Sequence, residues 1–559
     1  MSSPGKSKCT NFMKSRQDFS FTVSESEGVK TGNEPTVFSE AKKLKIFLNG
    51  VIYNQDRNQL IEGFLSQGTD FVRRLEGSFI IFLIIDSKFF IITDKVNSLK
   101  GYYAFIDHKW YVSNDIDALP KEKCKINLKG LACYLDNGVM FNDLTLFEEI
   151  QSAKRACIHT FVNGQVQVDK YWDDGFVYQS SEFKTDSEYK EELRTLLIQA
   201  VKQRHACSEN AAISLSAGYD SRGILGILHN EIHASNISCF SYANFTMQTT
   251  DSDPYLSKDL AELYDYPHQT IPSYNGKFLD QLINNAKEGK CIAHFCDELD
   301  AWNCLASWKK YTDLFVGDHC LGSHGTNLDR FLLRRDPSRI EPLEAFLSLE
   351  LFAILKTKLI ELFDEILETT AELPDVQDKL DFLDIDQEIN HIYMPWREYF
   401  SSKVGFVHNP YLDSSILEFR KTIPPNLRRN KHLFIETVRA IMPESFTVPL
   451  AKKSGTAIDW QQELCKHKDE LVSFISNSNS RLDEIISKNA LIDLLKQGVL
   501  IFKKRAERHS KELEHKNAYR LINKVSKIFM GSKSNQKPKT PTLEELIMRL
   551  LIIRIYLST

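Results

Sequence analysis

No C-x-x-C pair occurs anywhere in the sequence, and its 11 cysteines are an odd number. That excludes a simple disulfide framework and points to reduced thiols in a cytoplasmic setting. Apolar runs are scarce as well. No stretch approaches the roughly 18 uncharged apolar residues that a membrane-crossing helix needs. The opening MSSPGKSKCTNFMKSRQDFS has no apolar core of the kind a secretory signal carries. Excess positive charge is missing too. A net charge of -5 leaves no chain-wide polyanion footprint and argues against a nucleic-acid partner. No G-x-x-x-x-G-K-[ST] is present, which excludes a Walker-type phosphate loop. No internal repeat is apparent.

What remains is a chain of 559 residues, long enough for two to four domains at about 150 residues each. Residues 1–40 are rich in Ser, Lys, Thr and Gly and predict a flexible N-terminal segment. Over 41–172, short β-branched and aromatic runs such as KIFLNGVIY, GSFIIFLIID, KFFIITD and KWYVSND predict a layered β domain. Over 186–480, helical patterns alternate with the short apolar runs AAISLS, ISCFSYA, HQTI and TDLFVG, then turn mostly helical. That alternation predicts a parallel sheet with helices on both faces. Residues 481–559 predict a basic helical extension. Thr542 and Glu545 form a capping-box signature before LEELIMRLLIIRIYL. A helix docked on the body is preferred there over a membrane-surface or partner helix.

The densest chemistry lies in ISLSAGYDSRGILGIL, residues 213–228. A strand, a small-residue turn and a helix N-terminus together favour an anion, because backbone N–H groups and the positive helix end converge there. Ser216 and Ser221 add hydroxyl donors, and Gly218 permits close approach. Asp220 repels phosphate unless Mg2+ lies between them. Arg222 is placed to pair with departing pyrophosphate.

This stretch resembles the S-G-G-x-D-S pyrophosphate loop of the N-type ATP pyrophosphatases, with Ala217 for the first Gly, so that peptide is expected at negative φ. Four further segments, in order, are similar to the asparagine synthetase family. SYANFTMQTTDSDPYLSKDLAELYDYPHQTI resembles its second strand and helix. LFVGDHCLGSHG resembles its G-D-E-x-F-G segment, HNPYLDSSILEFRKTIPPNLRRNKHLF its L-D…L-P…K region, and VPLAKKSGTAIDW its R-x-K-x-G-F segment. The resemblance implies nucleotide binding by Ser214, Leu215, Ser216, Ala217, Gly218, Tyr219, Asp220, Ser221, Ser241 and Tyr242. It implies Mg2+ on Asp220 and Asp318, and a catalytic Lys453, with Lys452 as its neighbour. His319 is the candidate general base and Arg222 completes the catalytic set.

The N-terminal part resembles a class II glutamine amidotransferase domain, through IFLNGVIYN, GTDFVRRLEGSFIIFLIID and DKYWDD. Such a glutaminase needs a cysteine as its mature first residue. This chain begins Met-Ser-Ser, and Cys9 sits in a Lys-rich stretch. Asn49 and Gly50 keep the form of an oxyanion hole without a nucleophile. The expected fold is therefore a glutaminase-dead Ntn-like αββα sandwich, then a HUP-like ATP pyrophosphatase domain with a helical C-terminal part.

The implied activity is an AMP-forming, ATP-dependent amide synthetase that joins a carboxylate to an amine without glutamine hydrolysis. Beta-lactam synthetase and lasso-peptide cyclase relatives make a macrolactam cyclase one alternative. An inactive scaffold or a nucleic-acid-modifying adenylase are alternatives of another class. Expected partners are small-molecule or peptide carboxylates and amines, and a homodimer stays open. CIAHFCDELD places Cys291, His294, Cys296 and Asp297 together, but a single C-x4-C reads as buried thiols rather than zinc. Asp297, Glu298 and Asp300 read as a helix start, with the cleft as the alternative.

Overall fold

The computed structural model describes residues 12–24, 28–39, 43–162, 164–176, 184–244, 249–319, 321–322, 337–373, 375–519 and 541–558. Two antiparallel sheets form its N-terminal part. One runs β1 (Met13–Ser15), β5 (Leu44–Ile52), β6 (Gly77–Ile85), β7 (Lys88–Thr93), β11 (Cys157–Val162) and β12 (Gln165–Lys170), with β4 (Val37–Ser39) also on β5. The other runs β10 (Ile150–Ser152), β8 (Tyr102–Ile106), β9 (Lys109–Ser113), β2 (Ser20–Ser24) and β3 (Gly28–Lys30).

Period-two patterning sorts the side chains between layers. Phe47, Ile80 and Phe82 point between the sheets and meet Phe19, Phe21, Tyr103 and Trp110. Ile46, Leu48, Ile81 and Leu83 point the other way, onto the helix Arg57–Gln67. Tyr102 and Ala104 turn from the second sheet to the helix Leu128–Asn137. The result is a helix–sheet–sheet–helix stack. It corrects one expectation. Residues 13–24 and 28–39 are not a flexible segment, because they supply β1–β4, and Phe19 and Phe21 lie in the inter-sheet core. Composition hid this, since two buried aromatics suffice to anchor a polar strand.

The second body is a parallel sheet in the order β15 (His268–Pro272), β14 (Ile237–Ala243), β13 (Ala211–Ser214), β16 (Asp313–Phe315), β17 (Phe406–His408). Alternation again assigns the faces. Ala211, Ile213, Cys239 and Phe315 pack on the helices Asp186–Ala206 and His432–Ile441. Ala212, Phe240 and Leu314 pack on Trp302, Trp396 and Phe400. The chain leaves the first strand, β13, in one direction and returns on its other side, at β16. That reversal places a crevice beyond the carboxyl ends of β13 and β16, where open α/β sheets bind ligands.

Buried polar links join the bodies. Arg204 bonds Asp413 at 2.7 Å and Glu76 at 3.2 Å. Asp313 takes Lys14 at 2.5 Å and His408 at 2.6 Å, and His408 in turn meets the Tyr53 hydroxyl at 2.9 Å.

The described residues 481–507 and 541–558 are not a separate extension either, while 520–540 of the expected basic segment lie outside the described residues. Leu491, Leu494, Leu495 and Phe502 share a core with the helices Leu128–Asn137 and Leu349–Glu368. The helix Leu543–Tyr556 has its Thr542–Glu545 capping box and is buried from Leu546 to Tyr556 apart from Arg549. Its two arginines are consumed by the body. Arg549 donates to the carbonyls of Leu135 and Asp136, and Arg554 pairs with Asp483 at 2.9 Å. Among the described residues no helix is long and apolar enough to cross a membrane.

Candidate functional site

β13 ends at Ser214, and Leu215 still pairs with β14 by donating to the Phe240 carbonyl at 2.8 Å. The turn then tightens on itself. The Ser216 N–H donates to Ser221 Oγ at 2.9 Å, and the Ser221 hydroxyl donates to the Ser216 carbonyl at 2.9 Å. Ser216 Oγ accepts from the Gly218 N–H at 3.3 Å. Gly218 then caps the helix Tyr219–Gly226. Ala217 is not among the residues with positive φ, as its substitution for glycine predicts.

This loop forms one wall of a cleft of about 580 Å³. Its other walls are Tyr242, Asp253, Glu298 and the segment Leu450–Ser454 with Thr456. Two chain segments remote in sequence are therefore brought together. The lysine segment is held by backbone bonds to residues 244–253. Asp253 N–H donates to the Lys453 carbonyl at 2.9 Å, Lys452 N–H to the Asp251 carbonyl at 3.1 Å, and Asn244 N–H to the Gly455 carbonyl at 2.9 Å. Gly455 sits at φ +69, and a Cβ there would lie 2.9 Å from both Pro254 and Ser252. Only glycine permits that approach. Both Lys452 and Lys453 line the cleft. The Lys453 ammonium lies 3.3 Å from Asp251 and 3.4 Å from the Thr249 hydroxyl.

Several expected residues take other roles. Arg222 is fully buried and donates to the carbonyls of Ala217, Ser445, Val448 and Pro449. It ties the backbone of the Ser216–Ser221 turn to the segment leading into the lysines, so the expected contact with departing pyrophosphate is corrected to positioning. Ser214, Leu215, Asp220, Ser221 and Ser241 do not line the cleft. Ser241 Oγ faces His268 Nε2 at 3.0 Å, and period-two alternation turns only its neighbour Tyr242 to the cleft.

Asp318 and His319 follow β16 and meet the loop from behind. Gly317 makes that approach possible, since a Cβ would come within 3.0 Å of Asp220. His319 Nδ1 accepts the Leu321 N–H at 3.2 Å, which puts the ring proton on Nε2. That nitrogen lies 3.1 Å from Asp220 Oδ1, at ion-pair distance but without hydrogen-bond alignment. Burial lowers the His319 pKa despite the Asp220 charge. With one nitrogen occupied and the other protonated, His319 has no lone pair for a general base, and that expectation is corrected. Its ring packs against Tyr411 and Phe434 behind the turn.

Asp318 is likewise committed. Arg397 holds both its oxygens at 2.8 Å, and Asn409 donates to Oδ2 at 3.0 Å. Burial alone would lower the Arg397 pKa, and Asp318 reverses this to a net rise. A carboxylate so neutralised does not fit the metal-ligand role expected of it. No cluster of three or more metal-ligating side chains occurs among the described residues.

Asp253 escapes the sequence reading, and Glu298 takes the cleft position that the sequence left as the alternative to a helix start. Asp253 accepts the Ala217 N–H at 2.8 Å, and burial raises its pKa to about 6. Its signal was the Ser-Asp-Pro helix start. Glu298 reaches the cleft from before the helix Leu299–Ser307. Burial, then the neighbouring Asp297, raise its pKa to about 8. Cys291 and Cys296 are buried, with burial pushing both thiols well up, as structural thiols require. Cys9 lies outside the described residues.

No protein-family model matches the chain, and no curated protein matches it. Among solved structures it is similar to the structure of the allosteric regulatory enzyme of purine biosynthesis, at 9% identity and a TM-score of 0.20, over 40% of this chain and 58% of that one. It is also similar to glutamine phosphoribosylpyrophosphate amidotransferase from B. subtilis complexed with ADP and GMP, at 8% identity and a TM-score of 0.20, over 47% of this chain and 60% of that one. The chain thus spans less than two thirds of either neighbour. The function rests on the site's own geometry.

Proposed function

We propose that the chain is an ATP-dependent, AMP-forming amide synthetase: it activates a carboxylate as an acyl-adenylate, which an amine then attacks. The observation that carries this reading is the single cleft shared by Ser216–Tyr219, Lys452 and Lys453 at the reversal point of the parallel sheet. The turn leads into a helix N-terminus, whose positive end favours an anion, and two lysines line the same cleft.

The residues fit a nucleotide, and Asp220 fits Mg2+ beside its phosphates, lying in the first helical turn and 38% exposed. Bound there, Mg2+ would offset phosphate charge. Asp318 enters only through Arg397. In this reading Lys453 stabilises charge as pyrophosphate departs. Arg222 and Asp253 hold the loop that receives it. Tyr242 and Glu298 bound the side where a carboxylate and an amine would meet. In this reading the N-terminal sandwich takes no part in glutamine hydrolysis.

The test is a product analysis. Purified protein with ATP, Mg2+, hydroxylamine and a panel of carboxylic acids should form AMP and pyrophosphate. Formation of ADP and phosphate instead, or failure to bind ATP at all, would remove the reading.

A further inference from the structure

A concavity of about 490 Å³ carries a cluster of cations from the N-terminal sandwich against the flank of the second body. It shares no residue with the nucleotide cleft. The sandwich supplies Arg73, Arg74 and Glu76, just before β6, and Lys95, just after β7. The second body supplies Gln199 and Gln203 from the helix Asp186–Ala206, and Asp413 beyond β17. Local bonds fix the arginines' backbone. Asn54 donates to the Arg74 carbonyl at 2.7 Å and accepts the Glu76 N–H at 3.0 Å, while Arg73 donates to the Tyr171 carbonyl.

The charges of the wall decide the sign of the occupant. Both carboxylates are answered from inside the protein. Asp413 takes Arg204 at 2.7 Å and the Ser415 N–H at 2.9 Å. Glu76 takes Arg204 at 3.2 Å and the Ser414 N–H at 3.1 Å. Burial, then the Asp413 charge, raise the Glu76 pKa to about 7, so it gives up part of its charge near neutrality. The cations are not answered in turn. Arg74 and Lys95 have no carboxylate at ion-pair distance among the described residues. Arg73 has Asp70 at 3.7 Å, with both side chains more than half exposed, and solvent screens such a pair. Glu418, within reach of the Lys95 charge, is taken by Lys421 at 2.8 Å. Two guanidinium groups and an ammonium therefore line one opening with little opposing charge. Guanidinium forks match phosphate oxygens in pairs, and three cations favour a dianion over a single carboxylate. The neighbouring amides of Gln199 and Gln203 can both donate to and accept from hydroxyl groups.

We propose that this concavity binds a hydroxylated phosphate monoester, with its phosphate on Arg73, Arg74 and Lys95 and its hydroxyls on Gln199 and Gln203. The ligand bridges the two bodies and so favours their docked arrangement. The site does not rest on the nucleotide reading.

Isothermal titration of the full chain, without ATP and at an ionic strength of about 0.15 M, tests this with glycerol 3-phosphate as the probe and glycerol as the uncharged control. Saturable binding of the ester is expected, tighter than that of inorganic phosphate. Arg74→Gln, an exposed substitution that spares the core, should weaken it roughly tenfold or more, and so should Lys95→Gln. Lys453→Ala, in the other cleft, should bind the ester as wild type does. Absence of saturable binding, glycerol or inorganic phosphate bound as tightly as the ester, or wild-type affinity in Arg74→Gln or Lys95→Gln would overturn the proposal. So would loss of binding in Lys453→Ala, which would put the ester in the nucleotide cleft.

Discussion

Arg397 grips Asp318 with two parallel bonds, Nε to Oδ2 and Nη2 to Oδ1, both 2.8 Å long. The carboxylate side chain is 8% exposed and the guanidinium 17%. Removing one partner of such a pair strands the other charge away from water. Arg397→Gln should therefore destabilise the fold by about 3 kcal/mol or more. Urea unfolding should show a lower midpoint at an unchanged slope. A midpoint equal to wild type would mean that Asn409 alone satisfies Asp318.

Asp220 is the carboxylate that fits Mg2+ in the proposed site. Asp220→Asn keeps the side chain's shape and removes its charge. The variant should unfold near the wild-type midpoint. Its affinity for a non-hydrolysable ATP analogue should lose most of its Mg2+ dependence. Full Mg2+ dependence in Asp220→Asn would take this residue out of the metal site.

Strands and faces were legible where alternation is strong, as in β5 and β6. The Ser216–Arg222 turn stood out because its residue types are unusual in so short a turn. The role of Arg222 was not legible: its four carbonyl acceptors include three near residue 447, and nothing local distinguishes that from an arginine facing phosphate. Asp318 was misread for the same reason, since its partner lies 79 residues away. Polar residues reveal their type to a sequence reading, but burial and remote partners set their role. Residues 13–24 and 28–39 show the converse, where polar composition concealed strands anchored by Phe19 and Phe21.

Glu298 carries the pH prediction. Its folded-state pKa is raised from 4.5 to about 8, first by burial and then by Asp297. The folded protein thus keeps a proton that the unfolded chain has released. The cost to stability grows as pH rises from 4.5 and is complete above about 8. Glu298→Gln cannot ionise. It should match or trail wild type at about pH 5 and exceed it at about pH 9, read from paired unfolding curves. An advantage that does not grow with pH would show that Glu298 ionises normally in the fold.

Lys452 and Lys453 both line the cleft, yet their surroundings differ. Lys453 is bridged in parallel to Ser252 through its backbone, and its ammonium sits near Asp251 and Thr249. Among the described residues Lys452 has no ion-pair partner. Along extended backbone successive side chains diverge, so one of the two should dominate at the phosphates. Spacing to Gly455, whose backbone Asn244 anchors, favours Lys453. A preorganised charge that acts on the transition state is worth about 3 kcal/mol, roughly a hundredfold in rate. Lys453→Ala should therefore lower AMP formation by about that factor with little change in ATP affinity, because the contact strengthens as pyrophosphate leaves. Lys452→Ala should stay within a fewfold of wild type. The reverse outcome would assign the role to Lys452, whose ammonium would then be free to turn inward while Lys453 stays with Asp251. Full activity in both variants would leave the adenylation chemistry without its cation.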